Sequence, residues 1–132
     1  MRNSKNHYQN IFLIDDDRIF IVKYHKIFTN LCQYSNIEFS MSAATALLKL
    51  EDMHKKGSFP QLITLDWNLR MGGGELFLEK YNQQFASLYP GTKVLIISGL
   101  AQEIVSQKHA DFSFVIGVLP KPVSMKELSQ VL

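Results

Sequence analysis

Three consecutive aspartates, Asp15-Asp16-Asp17, close the short apolar run Ile11-Phe12-Leu13-Ile14. Three further apolar runs also end in a reactive polar group. Leu62-Ile63-Thr64-Leu65 leads into Asp66, Val94-Leu95-Ile96-Ile97 into Ser98-Gly99, and Val115 to Pro120 into Lys121-Pro122. Crowded carboxylates repel one another and raise each other's pKa. A hard divalent cation relieves that repulsion, and Mg2+ prefers oxygen ligands, often one or two carboxylates plus phosphate oxygens. Asp15, Asp16 and Asp66 can supply such a site. Asp17 reads instead as a helix start, where an acid favours the N-terminal dipole. Asp66 stands alone, and an aspartate carboxylate can attack phosphorus to give an aspartyl phosphate. The transferred phosphoryl oxygens then need a metal, a hydroxyl and an ammonium. Ser98 and Lys121 suit the last two roles, lysine as a compact point charge. Taken singly, each residue has a plainer reading as a cap, a turn or a solvated side chain; the ordered set is far more specific.

The elements that must position these groups alternate between short apolar runs and longer amphipathic stretches, the pattern of βα units around a parallel sheet. Strands are expected at Ile11 to Ile14, Ile37 to Met41, Leu62 to Leu65, Val94 to Ile97 and Phe114 to Leu119. Helices are expected from Arg18 to about Cys32, Ala43 to Lys56, Glu75 to about Leu88, Gln102 to Ala110, and after Ser124. Ser42 and Ser124 read as N-caps, the second with Glu127 in the capping-box position. Gly57-Ser58-Phe59-Pro60 and Pro90-Gly91 read as stops. The first helix is expected to bury Ile19, Val22, Ile27 and Leu31, and the second Leu47, Leu48 and Leu50. Phe12, Phe20, Phe28, Phe39 and Phe77 are core candidates. In such sheets ligands bind at the carboxyl ends of the strands, so all four polar groups converge there.

Bulk properties narrow the function. The chain has 132 residues, 46% of them hydrophobic, enough for one domain with its own core. The formal charge is only +2 and the basic residues are scattered, so no nucleic-acid stripe appears. The single cysteine, Cys32, excludes an internal disulfide and reads as a small buried hydrophobe; a reducing cytoplasm is the expected location. No apolar stretch of about 18 residues is present to span a membrane. Residues 1–9 read as a flexible lead-in to a single domain over 10–132. His7, His25, His54 and His109 lack metal-ligand spacing, and Trp67 is expected to pack beside Asp66.

The ordered set resembles the receiver domain of two-component response regulators, over almost the whole chain. The matching pieces are Leu-Ile-Asp15-Asp16-Asp17, Leu-Ile-Thr-Leu-Asp66-Trp-Asn-Leu, Gly74, Ile-Ile-Ser98-Gly99 and Lys121-Pro122. The resemblance implies a flavodoxin-like (βα)5 three-layer sandwich with strand order 2-1-3-4-5. It implies Asp66 as phosphoacceptor and Asp15, Asp16, Asp66 and the Asn68 backbone carbonyl around Mg2+. It further implies Ser98 as switch hydroxyl, Lys121 as its ion-pair partner, and a cis bond before Pro122. A sensor histidine kinase or phosphotransfer protein would be the donor. The output would be a downstream protein or a homodimer through the fourth predicted helix, fifth strand and fifth predicted helix, without direct nucleic-acid or membrane contact.

Three positions depart from the family pattern. Arg70 stands where proline is usual, which leaves Met71-Gly72-Gly73-Gly74 less constrained and predicts a mobile loop. Val118 stands where a switch aromatic is usual. Leu100 and Asn68 flank the path of an attacking water, and an apolar Leu100 points to slow self-dephosphorylation. Two other functions stay open: a docking module that is never phosphorylated, and a phosphatase of the haloacid-dehalogenase type built on Asp15 and Asp17. The second leaves Asp66 without a role and lacks a further acidic pair after Lys121.

Overall fold

The computed structural model describes residues 7–31, 33–70, 73–99 and 112–132. Five parallel strands form one sheet: β1 (His7–Ile14), β2 (Gln33–Ser40), β3 (Leu62–Asp66), β4 (Lys93–Ser98) and β5 (Val115–Pro120). Their order is β2-β1-β3-β4-β5, that of the flavodoxin-like fold. Four helices are described: α1 (Arg18–Leu31), α2 (Ala43–Lys56), α3 (Gly73–Gln84) and α4 (Met125–Val131). The expected helix over 102–110 lies outside the described residues, as do Cys32, Leu100 and His109. Among the described residues no helix is long and apolar enough to cross a membrane.

Helices on both faces follow from handedness. Parallel crossovers are right-handed, so a chain that steps from β1 to β2 and then back past β1 to β3 changes face as it reverses. The strands obey the period of two. Phe12, Ile14, Ile63, Leu65, Val94 and Ile96 face α2 and α3, while Ile11, Leu13, Leu62, Leu95 and Ile97 face α1 and α4. All five residues of β3 are buried, as befits a strand covered on both sides.

Local chemistry sets the helix ends. The Ser42 hydroxyl accepts from the Thr45 N–H, and the Ser124 hydroxyl accepts from the Glu127 N–H while Glu127 answers in a capping box. Gly57 closes α2 in the left-handed region at φ 74°, where a side chain would be strained.

Four expectations are corrected. β1 begins at His7 rather than Ile11, because His7–Asn10 pairs with Gln33–Asn36 ahead of the start of β3. That ribbon is too polar to read as a buried strand. In α1 the buried stripe is Ile21, Tyr24 and Phe28, while Ile19 and Val22 are 64% and 61% exposed. The helix is apolar on two sides, and the aromatic side faces the sheet. Leu48 is 72% exposed; Ala43, Ala46 and Leu50 supply the buried stripe of α2. Phe39, on the edge strand β2, is 42% exposed rather than buried.

The glycine tract is also tighter at its end than expected. Met71 and Gly72 lie outside the described residues, but Gly73 and Gly74 form the buried first turn of α3. A Cβ on Gly74 would lie 2.4 Å from the Trp67 carbonyl oxygen and 2.7 Å from its Cα. Backbone meets backbone here, so neither side can yield by rotating a bond. Gly74→Ala is therefore expected to cost about 1–3 kcal/mol. Urea unfolding would show this as a lower midpoint at unchanged slope, whereas Gly91→Ala, with nothing within 4 Å of its added Cβ, would leave the midpoint close to wild type.

Candidate functional site

The reversal of strand order between β1 and β3 opens a crevice at their carboxyl ends. Ile14 pairs with Leu65, so Asp15 and Asp66 leave adjacent strands at the same level. Backbone hydrogen bonds hold the surrounding strand ends in register. Asp15 N–H donates to Ser40 O at 3.1 Å, Trp67 N–H to Ile97 O at 3.0 Å, and Lys121 N–H to Ser98 O at 3.0 Å. The last of these brings the expected hydroxyl and ammonium to the same end of the sheet.

Asp15, Asp16 and Asp66 each offer a carboxylate oxygen, and these oxygens lie within 4.8 Å of one another. Asp15 and Asp66 are both 2% exposed. Lys121 bridges the pair and offsets part of its charge: its Nζ donates to Asp15 Oδ1 at 3.3 Å and to Asp66 Oδ2 at 3.3 Å, and lies 3.0 Å from Asp15 Oδ2. The Oδ2 contact lies outside hydrogen-bond angles, so that buried oxygen has an ionic neighbour but no hydrogen-bond donor. The other Asp15 oxygen also accepts from the Asp17 N–H at 2.8 Å. Asp17 itself caps α1, its Oδ1 accepting from the Ile19 N–H at 2.9 Å. Its carboxylate thus serves the helix, as the acid tract suggested.

A hydrogen-bonded chain runs from Ser98 to Asp66. The Ser98 hydroxyl donates to Asn68 Oδ1 at 3.2 Å, and the Asn68 N–H donates to Asp66 Oδ1 at 3.0 Å. The Lys121–Pro122 peptide bond is cis. Val118 is half-buried in the layer packed under α2 and α3. Arg70 is 90% exposed, yet its Nε lies 3.7 Å from Asp16 Oδ2, which links the departure at that position to the acid cluster.

Phe20 makes a further contact that was not foreseen. Phe20, expected in the core, is half-buried, and the Lys121 ammonium sits 4.2 Å from the centre of its ring. Sequence spacing carried no signal for it, because the two residues are about a hundred positions apart and meet only when α1 lies beside the end of β5.

The charges shift as this arrangement requires. Burial pushes the Asp15 carboxyl up to about 6, with the nearby Asp66 charge adding to the rise and the Asp17 N–H and Lys121 opposing it. Lys121 is pulled down by burial, but hydrogen bonds and charge from Asp15 and Asp66 leave its pKa raised overall. An all-oxygen donor set containing a buried carboxylate oxygen without a hydrogen bond fits a hard divalent cation such as Mg2+.

No protein-family model matches the chain, and no curated protein sequence does. Solved structures do match. A two-component response regulator from Cytophaga hutchinsonii is 22% identical, with 95% of this chain and 94% of that one covered and a TM-score of 0.85. A CheY-like response regulator receiver domain protein from Methanospirillum hungatei is 24% identical over 92% and 88% of the two chains, with a TM-score of 0.73. The phosphorylated cyanobacterial phytochrome response regulator RcpA is 20% identical over 94% and 88%, with a TM-score of 0.73. The chain has the fold of response-regulator receiver domains, and the resemblance read from its strand-end motifs is matched by these structures.

The raised Asp15 pKa has a consequence for stability. Between about pH 4 and pH 6 the folded chain holds a proton that the unfolded chain releases. Stability from this group is therefore highest at low pH and falls as pH rises through that window. Asp15→Asn removes the penalty. With a chelator present, the variant is expected to be about 1–3 kcal/mol more stable than wild type at pH 7.5 and to lose that advantage near pH 4. Thermal unfolding at both pH values checks this; an equal gain at both would exclude titration of Asp15 as the cause.

Proposed function

We propose that the protein is a phosphoacceptor switch of a two-component phosphorelay. Asp66 takes a phosphoryl group from a sensor histidine kinase or phosphotransfer protein. The observation that carries this reading is the Lys121 ammonium bridging buried Asp15 and Asp66 beside the carboxylate of Asp16. Fold similarity supports the family, but the site carries the function.

Asp66 is the nucleophile. Its Oδ1 is oriented by the Asn68 N–H and its Oδ2 by Lys121, which holds the carboxylate in one orientation before the donor arrives. The Asp66 oxygen forms a bond to phosphorus as the phosphorus–nitrogen bond of the donor's phosphohistidine breaks. The electron pair leaves with the imidazole, which takes up a proton. Lys121 then turns from the carboxylate oxygen to a phosphoryl oxygen, keeping its ion pair with Asp15. For Ser98 to reach the phosphoryl group, its hydroxyl must release Asn68 Oδ1. That exchange would couple phosphorylation to the end of β4 and so to the output surface.

Asp15, Asp16 and Asp66 would hold Mg2+, with the Asn68 backbone carbonyl as a further ligand. When bound, the ion offsets the negative charge gathered on the carboxylates and phosphoryl oxygens. The output partner would be a downstream protein or a second copy of the chain, reached through β5, α4 and the segment between β4 and β5. Such a domain acts as a signalling switch rather than as an enzyme that turns over substrate. Leu100, proposed to prolong the phosphoryl lifetime, lies outside the described residues. The cap that Asp17 Oδ1 makes on α1 supports this reading over a haloacid-dehalogenase-type phosphatase, which would pair Asp17 with Asp15.

Intact mass after incubation with acetyl phosphate and Mg2+ tests the chemistry. One phosphoryl adduct is expected on the wild type and none on Asp66→Asn or with a chelator. No adduct from acetyl phosphate or from a phosphohistidine donor, with Mg2+ bound and the chain folded, would favour the docking module instead.

Arg70 generates a separate expectation. Its guanidinium neighbours Asp16 from solvent, so it competes weakly with a cation at the acid cluster. Exposed ion pairs are worth up to about 1 kcal/mol. Arg70→Ala should thus bind Mg2+ up to about fivefold more tightly, read by the fluorescence of Trp67, with the gain shrinking at high salt. Weaker binding by the variant would show that Arg70 assists the site.

A further inference from the structure

We propose that Phe20 is a positioning residue for Lys121, its ring face holding the ammonium over Asp15 and Asp66. The inference rests on the phosphoacceptor reading for its purpose, and on geometry alone for the contact.

An ammonium has three donors and no acceptor. In this site two carboxylates take the polar side of Lys121, and the aromatic face of Phe20 lies 4.2 Å from Nζ. That distance is well within the range at which a ring quadrupole attracts a cation. Lys121 is only 14% exposed, so water does not compete freely for the charge. The contact arises from local sequence. Asp17 caps α1, its carbonyl accepts from the Phe20 N–H at 3.1 Å, and the first helical turn is thereby fixed above the acid cluster. Tyr24, one turn later and buried, backs the ring at 5.8 Å between centroids.

The consequence is orientation. Lys121 must leave one carboxylate for a phosphoryl oxygen without leaving the site. A ring face attracts the cation without fixing the direction of its N–H bonds, so the ammonium can turn while remaining in place. A third carboxylate in that position would hold it too firmly, and an aliphatic side chain would let it drift toward solvent. Val118, on β5, brings no ring to this end of the lysine; the ring comes from α1.

Phe20→Leu removes the ring and keeps an apolar side chain; Phe20→Tyr keeps the ring. Reductive methylation of the native protein, mapped by mass spectrometry, reads how firmly Lys121 is held. Labelling of Lys121 in Phe20→Leu is expected to be about fivefold faster than in wild type, and in Phe20→Tyr close to wild type. Equal rates in wild type and Phe20→Leu would overturn the proposal, as would an equal increase in both variants, which would indicate packing alone. In the wild type itself, proton NMR should place the Lys121 ε-methylene signals upfield of those of lysines without a ring neighbour; ordinary shifts would overturn it without any variant. Phosphorylation by acetyl phosphate should slow in Phe20→Leu with Mg2+ affinity unchanged. If the wild type accepts no phosphoryl group, the function fails while labelling and NMR still decide the role of Phe20.

Discussion

Two buried carboxylates at the ends of neighbouring strands repel each other, and the Lys121 ammonium between Asp15 and Asp66 is what lets them coexist. The constraint reaches through the fold. Parallel pairing of β1 with β3 sets the two acids side by side, and pairing of β4 with β5 carries Lys121 over them. The acids are adjacent because the sheet reverses its order at that point. Removing Lys121 would leave both buried carboxylates without their counter-charge, which is costly. The proposed phosphoryl group on Asp66 would alter that balance at its centre, where several strand ends meet.

Most of this arrangement was legible in the chain, for a physical reason. Buried parallel strands are short apolar runs, and the residue after each run must lie at the carboxyl edge of the sheet. Asp15, Asp66, Ser98 and Lys121 could be placed on one edge from that rule alone. The serine caps at Ser42 and Ser124 were legible because capping is chemistry within three residues. The phase of α1 was not, since Ile19 and Val22 compete with Ile21, Tyr24 and Phe28 for the buried side and only the sheet decides. The start of β1 was hidden for the opposite reason: its polar residues pair with a polar stretch of β2 at the edge of the sheet.

Two side-chain contacts at the edge of the site escaped the sequence. The meeting of Phe20 with Lys121, and of Arg70 with Asp16, joins residues from loops and helix starts whose approach depends on packing angles rather than spacing. Arg70 meets an acid of the cluster from solvent, and Phe20 meets the lysine that bridges it from the helical layer. Their strengths differ with exposure: Arg70 is screened by water, whereas the ring acts on a largely buried charge.

Asn68 shows how the same few atoms can serve two states. Its N–H holds one oxygen of Asp66 while its side chain accepts the hydroxyl of Ser98. The serine is thereby tied to Asp66 through one residue, at hydrogen-bond lengths. A phosphoryl group offers Ser98 a charged acceptor in place of a neutral amide oxygen, and charge-assisted hydrogen bonds are about twice as strong as neutral ones. In the proposed switch the preference of the hydroxyl would then reverse, away from Asn68 and toward the phosphoryl group. Lys121 N–H is bonded to the Ser98 carbonyl, so a shift at Ser98 would also be felt at the end of β5. The switch proposed for this chain thus needs no switch aromatic at Val118 to connect β4 with β5; a backbone hydrogen bond already joins them.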